Sequence, residues 1–251
     1  MTDRLAPDWL TARPIAHRGL HDRVAGIPEN TIAAAEAAIA GGYAIECDVQ
    51  LSRDGEAMVF HDAGLGRLTG ADGLVRERDA AALGQLTVLG SAERVPTLAE
   101  FLQTIAGRTP LVVEVKARFD GDLTLARRTA EVAAAYDGPV ALKSFDPAIV
   151  GALADLAPGL PRGIVAESHH DDPAYAALTE AQRHGLANLL HVSESRPDFL
   201  SWRVDDLPNA ATHLCRLLGG MPVMTWTVRN DAQVRLARAH ADQMVFEGFR
   251  A

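Results

Sequence analysis

The sequence predicts a (β/α)8 TIM barrel, the α/β fold in which eight parallel strands alternate with helices. Three observations lead to this prediction. Short apolar runs alternate with alanine- and leucine-rich amphipathic stretches, eight such strands are present, and 251 residues match the usual size of the fold. Strand number alone does not prove closure, so an open doubly wound sheet is the alternative.

The first two units show the alternation most clearly. "PIAHRG" (14–19) predicts a strand, and "NTIAAAEAAIAGG" (30–42) predicts a helix with an Asn/Thr cap before it and a Gly stop after it. Glu29 and Asn30 in "PENT" are expected to cap and orient this helix. "YAIECDVQL" and "AMVFHD" predict the second strand and a hairpin arm, because the Asp54-Gly55 pair between them favours a tight turn.

The rest of the chain continues the pattern after one interruption. Residues 65–96 are rich in Gly, Asp and Arg and predict a small insertion between the second and third βα units. We therefore expect residues 1–251 to form a single barrel domain that carries this insertion. The six remaining strands are predicted at 110–117, 138–145, 161–167, 198–204, 221–228 and 241–248. The helices are predicted at 97–106, 122–135, 146–156, 173–188, 208–219 and 230–240.

Composition restricts the classes of function. A net charge of −9 argues against a general nucleic-acid binder, which would usually carry a basic face. No apolar run is long enough to span a bilayer, and the first residues lack a signal-peptide core, so we expect a cytoplasmic protein without stable membrane insertion. The two cysteines lack the CxxC spacing of a zinc knuckle. Oligomeric state is not indicated.

Charged residues end several of the predicted strands. Strand side chains alternate between faces, so Glu46 and Asp48 share one face while Cys47 lies on the other and is expected to pack under a helix. Glu114 and Lys116 share a face in the same way. Because the carboxyl ends of barrel strands converge on one mouth, these side chains are predicted to line a polar mouth where barrel enzymes place their chemistry.

Three of these side chains form a candidate metal site. Glu46, Asp48 and Glu114 offer only oxygen donors, which suit a hard divalent cation such as Mg²⁺ or Ca²⁺. The alternative is an ion-pair network in which the same carboxylates are neutralised by Arg18 and Lys116.

Two histidines end strands beside the carboxylates. His17 follows the first strand and His61 follows the hairpin arm. Because imidazole titrates near neutral pH, the two could serve as an acid–base pair. A structural role for each histidine is the alternative.

Taken in order, these motifs resemble one protein family. "AHRG", "PENT", "AIECDVQLSRDGEAMVFHD", "VVEVKA" and "MTWTV" together resemble the glycerophosphodiester phosphodiesterase family, most closely from Arg13 to Lys116 and more weakly to Val228. The resemblance implies a (β/α)8 barrel and metal-dependent hydrolysis of a small-molecule glycerophosphodiester to glycerol 3-phosphate and an alcohol. It does not indicate which alcohol is released, or whether water or the glycerol moiety's own hydroxyl is the nucleophile.

The resemblance also implies roles for individual residues. His17 and His61 match the catalytic histidines, Glu46, Asp48 and Glu114 the metal ligands, and Arg18 and Lys116 the residues around the phosphate. Trp226 in "MTWTV" and Glu167 after the fifth strand are expected to contact substrate. The chain departs from the family at its last strand, where "MVFEGF" brings Glu247 to the mouth and puts the substrate contacts there in doubt.

Other functions remain as alternatives. Phospholipase-D-like cleavage of lysophospholipid headgroups would require an apolar groove, which the low aromatic content of 5% does not support. A metal-dependent sugar-phosphate isomerase or aldolase would require a base beside a carbonyl carbon, for which two histidines around a phosphate are less natural. A phosphate-binding barrel without turnover is disfavoured by the complete set of histidines, carboxylates and arginine. "ESHHDD" (167–172) could suggest a second metal site, but it is expected to be a solvated loop.

Overall fold

A computed structural model describes residues 6–169 and 175–251 of the chain. Eight parallel strands form a closed barrel, because the first strand pairs with both the second and the last. This closure confirms the barrel and excludes the doubly wound sheet. The strands are β1 (Ile15–Ala16), β2 (Ala44–Leu51), β3 (Ala57–Val59), β4 (Leu111–Val115), β5 (Val140–Ser144), β6 (Arg162–Ala166), β7 (Phe199–Arg203), β8 (Val223–Val228) and β9 (Gln243–Phe246). Of these, β3 is the hairpin arm and runs antiparallel to β2 outside the barrel.

Helices connect the strands on the outside. They are α1 (Ile32–Ala40), α2 (Gly66–Thr69), α3 (Ala80–Leu83), α4 (Leu98–Ile105), α5 (Thr124–Ala134), α6 (Pro147–Leu156), α7 (Glu180–Ala187), α8 (Val192–Ser195), α9 (Ala210–Gly219) and α10 (Asp231–His240). The helix predicted at 173–188 begins only at Glu180, because Thr179 and Gln182 form a capping box there. Residues 170–172 of "ESHHDD" lie outside the described residues. Among the described residues, no helix is long and apolar enough to cross a membrane.

Two apolar regions hold the barrel together. The outward faces of the strands pack under the helices, and Cys47 is fully buried in this region, as its place in the alternation predicted. The inward faces at the amino ends of the strands form a second region, which we call the apolar layer. The apolar layer consists of Ile15, Ala44, Val112, Ala141, Phe199, Met224 and Val245 on the strands, together with Leu10, which precedes β1.

The insertion has an apolar cluster of its own. It follows β3, contains α2 and α3, and ends before α4. Its buried side chains pack against Met58 and Phe60 from the hairpin arm. Leu65 and Leu68 are 0% and 2% exposed, so α2 is fixed firmly beside the end of β3.

Candidate active site

A tight turn after β1 directs the first site residues to the barrel mouth. Arg18 and Gly19 have φ values of 57° and 78°, the left-handed region that favours glycine. A Cβ atom at Gly19 would also lie only 2.7 Å from the Cβ of Ala34, so no larger residue fits there. The turn is held by the Arg18 amide, which donates to Glu46 Oε2 at 3.0 Å.

Three buried carboxylates meet at the mouth. Glu46 and Asp48 come from β2, and Glu114 lies opposite Asp48 in the register of the adjacent strand β4. One oxygen from each residue lies within 4.8 Å of the other two. The period-two alternation of the strands therefore brings together the residues that the sequence predicted as metal ligands.

Basic side chains surround the carboxylates. Lys116 Nζ lies 2.7 Å from Asp48 Oδ1 and 2.6 Å from Glu114 Oε1. Lys143, only 2% exposed, extends from β5 and places its Nζ 3.0 Å from Glu46 Oε1 and 3.2 Å from Glu114 Oε2. The ion-pair network considered as an alternative is therefore present, and Lys143 is part of it.

Two of the three carboxylates are held in their ionised form. Burial raises the pKa of Asp48, but the charges of Lys116, His61 and Arg18 outweigh burial and leave the pKa well below its usual range. For Glu114, burial likewise raises the pKa, and Lys116 together with Lys143 lowers it below the ordinary value. Ionised carboxylates are the form that ligates metal ions.

The donor set fits a hard divalent cation. Glu46, Asp48 and Glu114 supply only oxygen atoms, are buried, and carry three formal negative charges. The nearby thiol of Cys47 lies on the opposite, outward face of β2, where the strands pack under the helices. Asn30 supports the cluster from outside, because its Nδ2 donates to Asp48 Oδ2 at 2.9 Å and its Oδ1 accepts from the Asp48 amide at 3.2 Å. These residues could therefore hold a divalent cation.

Only one of the two residues of the predicted Asn/Thr cap caps α1. Thr31 is the N-cap of α1, and its hydroxyl accepts from the Ala34 amide. Asn30 instead adopts a φ of 56° and binds Asp48. The expectation that Asn30 caps the helix was wrong because the next residue satisfies the amides of the first turn.

Each candidate catalytic histidine is bonded to a carboxylate. His17 Nδ1 lies 2.7 Å from Glu247 Oε2, and its Nε2 lies 4.0 Å from Glu46 Oε2. A carboxylate can only accept, so Nδ1 carries the proton and Nε2 is the nitrogen available for chemistry. The hydrogen bond from His17 lowers the pKa of Glu247 to about 2. The departure from the family pattern at the last strand thus supplies a partner for His17.

His61 repeats this arrangement at the end of β3. Its Nδ1 lies 2.6 Å from Asp62 Oδ1, and its main-chain oxygen accepts from Gln50 Nε2 at 2.9 Å. Burial raises the pKa of Asp62, but hydrogen bonds from His61 and Arg67 more than offset it and leave the pKa well below its usual range. Asp62 is therefore an ionised acceptor that fixes the tautomer and direction of the imidazole.

A cavity of about 680 Å³ opens beside the carboxylates. Glu167 and Trp226, the predicted substrate-side residues, both line it. Glu167 accepts from Tyr175 Oη at 2.8 Å and from Arg203 Nη1 at 3.1 Å. Trp226 Nε1 donates to the main-chain oxygen of Ser201 at 2.9 Å. The remaining lining residues are Gln50, His61, Asp62, Ala63, Glu114, Lys116, Ala117, Phe119, Phe145, His169, Tyr175 and Arg203.

Sequence reasoning missed several partners of these residues. Glu247 was recognised as a departure but not as the acceptor for His17, and Arg67 was not singled out. Lys143 was not among the predicted site residues. The sequence carries a signal for two of them, since Lys143 and Glu247 end their strands on the inner face.

A closed (β/α)8 barrel with buried charged residues and histidines at the carboxyl ends of its strands defines the class of barrel enzymes. The Glycerophosphoryl diester phosphodiesterase family matches residues 17–246 of the chain. The chain therefore belongs to this family of phosphoric diester hydrolases, as the motifs predicted.

Individual relatives agree with this assignment. A glycerophosphodiester phosphodiesterase of Caldanaerobacter subterraneus is 39% identical over 110 residues, which cover 41% of this chain and 44% of that protein. A phosphodiesterase of Oleispira antarctica, solved in complex with the product sn-glycerol-3-phosphate, is 25% identical with a TM-score of 0.74 and covers 93% of this chain and 91% of that one. A glycerophosphodiester phosphodiesterase of Thermotoga maritima shares the fold, with 24% identity, a TM-score of 0.70 and 92% coverage of both chains.

Proposed function

We propose that this chain hydrolyses small glycerophosphodiesters to glycerol 3-phosphate and an alcohol, using Mg²⁺ or Ca²⁺ bound by Glu46, Asp48 and Glu114. The observation that carries the proposal is the convergence of this carboxylate cluster with two carboxylate-bonded histidines at one barrel mouth. Membership of the family and the product complex of the Oleispira antarctica relative support the same substrate class.

Positive charge around the phosphate is the first requirement of this reaction. A divalent cation held by Glu46, Asp48 and Glu114 would polarise the phosphoryl oxygens and offset the charge that develops on them. Arg18 presents a planar guanidinium that suits two phosphate oxygens. Lys116 has three N–H donors, and its contacts with Asp48 and Glu114 leave one donor for the phosphate.

Proton transfer is the second requirement. His17 and His61 each use Nδ1 to bind a carboxylate, so each keeps Nε2 for the substrate. One imidazole takes the proton of the attacking oxygen, and the other protonates the departing alkoxide. Water and the glycerol moiety's own hydroxyl both fit this scheme as the attacking group.

The cavity beside the carboxylates accommodates the rest of the substrate. Its volume of about 680 Å³ suits a small molecule rather than a polymer. Glu167 offers carboxylate oxygens to the hydroxyl groups of the glycerol or the alcohol, and Trp226 offers an apolar wall. The proposed substrate is therefore a small glycerophosphodiester whose organic part packs between these two residues.

Product analysis with and without a chelator tests this proposal. The chain is incubated with glycerophosphocholine, and glycerol 3-phosphate and choline are quantified. We expect both products in equal amounts, loss of turnover in EDTA, and recovery with Mg²⁺ or Ca²⁺. Asp48→Asn should be inactive, whereas Asp79→Asn, which removes the same charge from the exposed Arg53–Asp79 pair, should retain activity.

Three results would contradict the proposal. Full turnover in excess chelator would remove the metal from the reaction. Faster choline release from lysophosphatidylcholine than from glycerophosphocholine would favour the phospholipase-D-like alternative, and product-free binding of both compounds would favour a barrel without turnover.

A further inference from the structure

Arg67, a residue of the insertion, connects two parts of the site. It lies on α2, and its guanidinium donates four hydrogen bonds to two carboxylates. Two reach Asp62, from Nε to Oδ2 at 2.6 Å and from Nη2 to Oδ1 at 2.9 Å. Two reach Glu29, from Nη1 to Oε2 at 2.9 Å and from Nη2 to Oε1 at 2.8 Å. A planar fork with donors on two edges is required for this arrangement, and only arginine provides one.

Both carboxylates also form a hydrogen bond to a residue of the proposed active site. Asp62 Oδ1 lies 2.6 Å from Nδ1 of His61, and Glu29 Oε1 accepts from Nη1 of Arg18 at 2.7 Å. An unbroken series of hydrogen bonds therefore runs from the proposed acid–base group His61 to the proposed phosphate ligand Arg18. Arg67 is the central residue of this series.

The charges along the series alternate. Asp62 and Glu29 are both acidic, and Arg67 supplies the positive charge between them. Burial raises the pKa of Glu29, but hydrogen bonds and charges from Arg67 and Arg18 outweigh it and lower the pKa. Without the guanidinium, the two carboxylates would repel each other and would no longer be held in their present directions.

The packing of α2 explains how Arg67 is presented. Its neighbours Leu65 and Leu68 are buried in the cluster of the insertion and fix the helix. The side chain of Arg67 is itself 47% exposed, so each of its ion pairs contributes little to stability. The arrangement is thus better suited to orienting the two carboxylates than to holding the insertion in place.

We propose that Arg67 is a positioning residue, which orients His61 through Asp62 and Arg18 through Glu29. This inference rests on the proposed hydrolysis of glycerophosphodiesters. The insertion is then part of the active site. The barrel supplies the reacting groups, and α2 supplies the side chain that orients two of them.

Steady-state kinetics of Arg67→Gln on glycerophosphocholine test the proposal. We expect kcat to fall roughly 10- to 100-fold, as for other residues that orient a catalytic group, and KM to rise because Arg18 loses its support. Arg53→Gln is the matched control, since Arg53 forms a similar two-bond pair with Asp79 of the insertion and neither residue lines the cavity. It should change the melting temperature about as much as Arg67→Gln and leave kcat and KM unchanged.

Two further variants separate positioning from a structural effect. Arg67→Lys keeps the charge and the aliphatic stem but loses the planar fork, so its kcat should lie between those of the wild type and Arg67→Gln. In an Asp62→Asn background, Arg67→Gln should cause no further loss of kcat but should still raise KM, because the Glu29 branch remains. If Arg67→Gln does not fold, the lysine variant decides the question.

The possible outcomes are distinct. Equal kinetics for Arg67→Gln and Arg53→Gln, wild-type kinetics for Arg67→Lys, or additive losses of kcat with Asp62→Asn would each overturn the inference while leaving the proposed function intact. Absence of turnover by the wild type would overturn the proposed function, and the inference with it.

Discussion

The two ends of the barrel interior are built from the same strands yet differ in chemical character. At the amino ends, the apolar layer fills the barrel. Two residues further along the same inner faces, the side chains become charged. On three adjacent strands the change runs from Ala44 to Glu46, from Val112 to Glu114 and from Ala141 to Lys143.

The difference indicates which end serves stability and which serves chemistry. Burial of apolar surface stabilises the fold by about 25 cal/mol per Å². Burial of paired charges contributes little, because desolvation offsets most of their attraction, and apolar replacements are often as stable. Stabilisation of the fold therefore does not explain the charged residues Glu46, Asp48, Glu114 and Lys143, which we call the charged layer. Substitutions at the mouth should mainly affect turnover, whereas substitutions in the apolar layer should mainly affect stability.

The histidines at the mouth should give the largest effect. His17→Ala and His61→Ala are each expected to lower kcat by roughly 10² to 10⁴, the range for loss of a positioned acid or base. Substrate binding should change much less, because the proposed phosphate ligands, Arg18 and the metal site, are left intact. The measurement is kcat and KM for release of glycerol 3-phosphate.

A nitrophenyl ester substrate distinguishes the two histidines. The leaving group of this substrate needs little protonation as it departs. The ester should therefore restore turnover to the variant that lacks the general acid and leave the variant that lacks the general base impaired. Equal rescue of both variants, or of neither, would contradict the two-histidine scheme.

A substitution in the apolar layer should give the opposite result. Met224 is 1% exposed, and Met224→Ala should lower the free energy of unfolding by about 2–5 kcal/mol through lost burial and a residual cavity. Urea unfolding measures the loss, and kcat of the folded variant should change little. Leu217→Ala on α9 is the control, because Leu217 is 69% exposed and its truncation should cost less than about 0.5 kcal/mol. Equal losses for both variants would remove the stabilising role of the apolar layer.

The fold was largely predictable because it repeats one local pattern. A stretch of a few residues is enough to show the alternating faces of a strand or the cap and apolar face of a helix. All eight barrel strands and the hairpin were therefore located. The residues brought together at the mouth were found for the same reason, since Glu46, Asp48 and Glu114 follow the period of two. The start of α7 was missed because the alanine-rich segment "PAYAAL" (173–178) just before its cap continues the composition of the helix.

The partners of the site residues were less predictable because they depend on contacts distant in sequence. His17 and Glu247 are 230 positions apart and meet only because β1 pairs with β9 when the barrel closes. Arg67 lies in the insertion, where no periodic pattern indicates which side chains face the mouth. Such contacts follow from closure of the barrel and docking of the insertion.

Calorimetric titration with Mg²⁺ and Ca²⁺ tests the central claim, that the charged layer is a metal site, most directly. The wild type should bind one divalent cation per chain. Glu114→Gln should weaken binding by at least about tenfold, or about 1.4 kcal/mol, because one of three ligands loses its charge. Glu36→Gln, which removes an exposed carboxylate paired with Arg108, should bind like the wild type. Absence of binding, or equal affinity for Glu114→Gln and the wild type, would contradict the account.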